Sequence, residues 1–63
     1  MTPFEVESAR AALEQLRIAE THLGAAWDLF LDAGLDVTAE HVQETIRNVR
    51  DLNNRTWRGL ETV

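Results

Sequence analysis

The sequence predicts an all-α fold: one antiparallel helical hairpin, with helices over about 3–33 and 39–59, two copies of which join as a four-helix bundle. Three observations carry this. The segment Phe30-Leu31-Asp32-Ala33-Gly34-Leu35-Asp36-Val37-Thr38 stops one helix and starts another. The apolar residues on either side recur with a heptad period. The chain has 63 residues and no cysteine, so it is a single domain (1–63) without a disulfide or thiolate metal site to staple it.

The first helix opens at Thr2-Pro3-Phe4-Glu5. Threonine is a good cap, proline suits the first helical position, and glutamate at the third completes a capping box. Val6, Leu13 and Trp27 occupy one seam position, and Ala9, Leu16, Leu23 and Phe30 the other. Ala12, Ala19, Ala26 and Ala33 recur beside this seam, a spacing that lets a second helix of the hairpin approach closely. An interior glycine costs about 1 kcal/mol relative to alanine, which makes Gly24 the weak point of this helix. The heptad keeps its phase across Gly24, so the expectation is one continuous helix, roughly 45 Å long at 1.5 Å per residue.

Gly34 suits the left-handed residue of a Schellman stop, with Leu35 folding back on Phe30. Thr38 is then the expected cap of the second helix, with Val37 and Val42 at the two positions of a hydrophobic staple. Along that helix Val42, Ile46, Val49, Thr56 and Leu60 follow the seam, with Asn53 at its remaining position and Leu52 beside it. Glu61, Thr62 and Val63 are expected to fray.

A hairpin of this pattern has more apolar surface than one helix pair covers. About ten large side chains left half exposed represent on the order of 10 kcal/mol of gross burial, which is the basis for expecting a homodimer.

The net charge of −5 argues against non-specific binding to nucleic acid or anionic lipid. No apolar run approaches a membrane span, and the lack of cysteine suits a reducing, cytoplasmic setting. The charge is uneven. Residues 1–44 carry two arginines against nine carboxylates, whereas 45–60 carry Arg47, Arg50, Arg55 and Arg58 against Asp51 alone.

Glu20 breaks the apolar seam. Folding the hairpin brings it level with Val49, Arg50 and Asn53, where it is expected to form a polar layer that fixes register. The segment from Arg47 to Arg58 interleaves arginine with asparagine and Trp57, the composition of an RNA- or phosphate-contacting helix, although a surface for contact with another protein is the stronger expectation of the two. Within the hairpin Trp57 is expected opposite Ala12 and Leu13, and the arginines opposite Glu7 and Glu14. The corner also resembles a helix-turn-helix, but its turn reads as too long, and Asp36, Glu40 and Glu44 would face phosphates.

His22 and His41 read as solvated side chains, and nothing sets a nucleophile beside a base. The expected function is that of a non-enzymatic protein-interaction module without cofactor or metal. Its partner surface would comprise Arg47, Arg50, Arg55, Trp57 and Arg58, and the alternative is a nucleic-acid-binding regulator using the same helix.

Overall fold

The computed structural model describes residues 1–61 and contains two helices, α1 (Pro3–Asp32) and α2 (Asp36–Glu61), packed antiparallel along their length. The hairpin is a ribbon of 47 × 15 × 10 Å.

Thr2 is extended and caps α1: its hydroxyl accepts from the Glu5 N–H at 3.2 Å, and its carbonyl accepts from the Val6 N–H at 3.1 Å. The expected capping box is half formed. The Glu5 carboxylate accepts a hydrogen bond from the Thr2 hydroxyl at 3.0 Å instead of reaching the Thr2 N–H. α1 runs through Gly24 without a break.

The stop is a complete Schellman motif. Gly34 has φ +76°, its N–H donates to the Leu31 carbonyl at 3.0 Å, and the Leu35 N–H donates to the Phe30 carbonyl at 2.9 Å. The start of α2 departs from expectation. The Leu35 carbonyl already accepts the Ala39 N–H at 2.9 Å, so the helix begins at Asp36, and Thr38 lies inside its first turn rather than capping it. Val37 is exposed, and no staple with Val42 is required. The motif that ends α1 leaves Leu35 oriented to begin α2 at once. The exposed first turn needs no side-chain cap, and Asp36 places a carboxylate at its positive end. At the far end α2 extends to Glu61, two residues past the expected Gly59, so Glu61 is helical. Thr62 and Val63 lie outside the described residues.

The seam is formed by the heptad residues. Val6, Ala9, Leu16, Leu23, Trp27 and Phe30 of α1 are half-buried, as are Val42, Ile46, Val49, Thr56 and Leu60 of α2. Among the described residues only Leu13, at 3% exposure, and Ala39, at 1%, are buried. The alanine stripe does not lie between the helices: Ala12, Ala19 and Ala33 are exposed and only Ala26 is half-buried. The pair packs through the larger seam residues, and alanines one position away flank the contact. Leu52, beside the α2 seam, is likewise exposed at 46%.

The corner is not a helix-turn-helix. Its link is shorter than expected, three residues from Ala33 to Leu35, and the helices lie side by side instead of crossing steeply.

Candidate functional site

One broad face of the ribbon carries most of the ionic chemistry. Positions seven apart beside the seam place Arg10 and Arg17 of α1 on the same face as Arg50 and Trp57 of α2. Between them runs an open groove of about 380 Å³, also lined by Leu13, Glu14, Glu20, Asn53 and Asn54.

Two polar residues in the seam tie the helices together there. Glu20, with its side chain 24% exposed, accepts a hydrogen bond from Arg50 Nε in the one ion pair that joins α1 to α2 among the described residues. Asn53 Nδ2 donates to the Leu13 carbonyl at 3.4 Å, one heptad step further along α1. Glu20 thus meets Arg50, as its position in the sequence suggested, whereas Asn53 bonds one heptad away and does not share a layer with Glu20.

The α1 wall is built from a local pair. Arg17 Nε lies 3.1 Å from each Glu14 carboxylate oxygen, and Nη2 lies 2.6 Å from Oε1. Hydrogen bonding to the Arg17 guanidinium holds the Glu14 carboxyl below its usual range and raises Arg17 in turn. Arg10 makes no ion pair among the described residues. The groove therefore has three guanidiniums, two of them neutralised by carboxylates, with the half-exposed indole of Trp57 beside them.

The five residues singled out from sequence are dispersed around α2. Arg50 and Trp57 share the groove. Arg47 and Arg58 are exposed, without an ion pair among the described residues, and lie on the outer side of α2. Arg55 points to the flank remote from the groove and pairs with Asp51 at 3.1 Å. The expected pairing of these arginines with Glu7 and Glu14 does not form. Glu14 is held by Arg17 within one turn of its own helix, a shorter reach than across the seam. Trp57 lines the groove together with Arg10 and Leu13, whereas Ala12 is exposed and does not line it. Reading α2 alone missed Arg10 and Arg17. Their seven-residue spacing next to the α1 seam was the available signal.

His22 and His41 are exposed. No group of three His, Cys, Asp or Glu side chains suited to a metal ion occurs among the described residues. Among the described residues no helix is long and apolar enough to cross a membrane. Comparison with protein-family models, with curated proteins and with solved structures finds no match.

Proposed function

We propose that this protein is a non-enzymatic, cytoplasmic interaction module: a homodimeric helical bundle that serves as an adaptor, inhibitor or regulatory subunit for another protein. The observation that carries this is the Trp57 indole, 42% exposed at the edge of the arginine groove. Tryptophan and arginine are the side chains most often responsible for affinity at protein interfaces, because each buries a large area with few rotatable bonds and a polar handle. The groove's charges are mostly paired, which suits a partner with mixed polar and apolar chemistry better than a phosphate backbone. Arg47, Arg55 and Arg58 extend the contact region around α2. The unpaired Arg47 and Arg58, on one outer side, favour the alternative of a nucleic-acid-binding regulator.

The test is capture from an extract of the native host by immobilised protein, with and without nuclease, at low and physiological salt. Capture of a discrete protein that resists nuclease, changes little with salt and falls about 10-fold or more in Trp57→Ala is expected. Capture that vanishes with nuclease and drops steeply with salt would establish the nucleic-acid reading instead.

A further inference from the structure

We infer that the hairpin associates with a second copy of itself through the broad face opposite the groove, centred on Ala19 of α1 and Leu52 of α2. This rests on the homodimer in the proposed function and specifies which surface makes it.

The first observation is the distribution of charge. Ala12, Ala19 and Ala26 recur every seven residues along one side of the α1 seam, and Thr45 and Leu52 do so along the matching side of α2. Among these five positions there is no Asp, Glu, Lys or Arg; Glu5, one heptad before Ala12, stands at the end of the same series, and Arg55, paired with Asp51, lies on the adjoining flank, while Leu29 at 68% exposure and Leu52 at 46% stand beside or among the five. The opposite face carries Arg10, Glu14, Arg17 and Arg50. A chain of net charge −5 repels its copy, and approach is least opposed across the face whose centre carries no charge.

The second observation is area. The chain exposes 4856 Å², where a compact monomer of 7.1 kDa exposes about 4,100 Å². The excess of about 800 Å² matches what each partner buries in a standard interface. With only Leu13 and Ala39 buried among the described residues, the isolated hairpin lacks a closed core, and a second ribbon laid on this face closes it. Alanine and threonine there let helix axes approach to about 8 Å, near the lower end of ordinary helix packing. A two-fold dimer presents the same face twice, so the uncharged centre of the face meets itself. Both Trp57 grooves remain outward and free for a partner.

The experiment is sedimentation equilibrium of the whole chain at micromolar concentration, with helicity followed by circular dichroism. The wild type is expected at twice its 7.1 kDa mass. Ala19→Arg and Leu52→Arg each place an unpaired charge in the interface. Each should weaken association by about 100-fold or more and give helical monomers. Gln43→Arg, on the groove face, should stay dimeric. A dimer that survives both face variants but is broken by Gln43→Arg would overturn the assignment and leave the homodimer standing. A monomeric wild type would overturn the assignment and the homodimer together, while leaving capture through Trp57 untouched. Should either arginine variant lose helicity, thiol modification decides. Ala19→Cys must become protected as concentration rises while Gln43→Cys does not, and equal reactivity would sink the assignment.

Discussion

Arg50 on α2 donates to the Glu20 carboxylate on α1, across thirty residues of sequence and from opposite sides of the hairpin seam. Glu20 occupies a position where the heptad calls for an apolar residue, and its side chain is 24% exposed. Arg50 stays 64% exposed. The pair therefore specifies alignment more than it stabilises. An ion pair this wet is worth about 0.2–1 kcal/mol, less than a well-packed leucine would contribute at the same site.

Glu20→Leu is accordingly expected to raise the melting temperature while loosening the choice of register. The exposed Arg50 guanidinium keeps its hydration when its partner is removed. A double-mutant cycle of Glu20→Gln and Arg50→Gln should yield a coupling below about 1 kcal/mol. A coupling of several kcal/mol in thermal or denaturant unfolding would show that the pair is a principal support of the fold.

Gly34 and Gly24 should respond in opposite directions. Gly34 has φ +76°, where a Cβ is strained, so Gly34→Ala should destabilise by about 1 kcal/mol or more. A Cβ at Gly24 meets nothing within 4 Å, so Gly24→Ala should stabilise by roughly 1 kcal/mol through helix propensity. Urea unfolding of the two variants checks both signs.

Thr38→Ala separates the observed start of α2 from the start expected of its sequence. With the Leu35 carbonyl opening the helix, removal of the Thr38 hydroxyl should change stability by less than about 0.5 kcal/mol. A loss of about 1 kcal/mol or more is the signature of an N-cap and would move the helix start back to Thr38.

The carboxyl of Glu14 titrates below its usual range because Arg17 hydrogen-bonds its charged form. A depressed folded-state value adds stability above the unfolded value, and that stability is lost as pH falls through the folded one. Both side chains are more than half exposed, so the effect on the acid limb of stability is small. Side-chain NMR titration should find Glu14 low in the wild type and restored toward the ordinary carboxylate value in Arg17→Ala. An unchanged Glu14 would mean that the bidentate contact does not persist in solution.

By itself the sequence determined whatever depends on neighbours one or two turns away. The Thr2 cap, the unbroken passage through Gly24, the Schellman stop at Gly34 and the heptad seam are set by local backbone chemistry and by a period that each helix carries alone. Even the pairing of Glu20 with Arg50 could be counted along the two helices, because a short corner fixes their alignment. Only the tertiary structure decided what depends on rotation about each helix axis and on competition between partners. It turned the alanine stripe out of the hairpin seam, since a shift of one position around the wheel changes an interhelical residue into a flanking one. It gave Glu14 to Arg17, because a partner one turn away on the same helix is reached at less entropic cost than one across the seam. It began α2 at Asp36, because the Leu35 carbonyl was already in place for Ala39. And it set Arg10, Arg17 and Arg50 around one groove while leaving the centre of the opposite face without charge, an asymmetry that appears only when the two helices lie side by side.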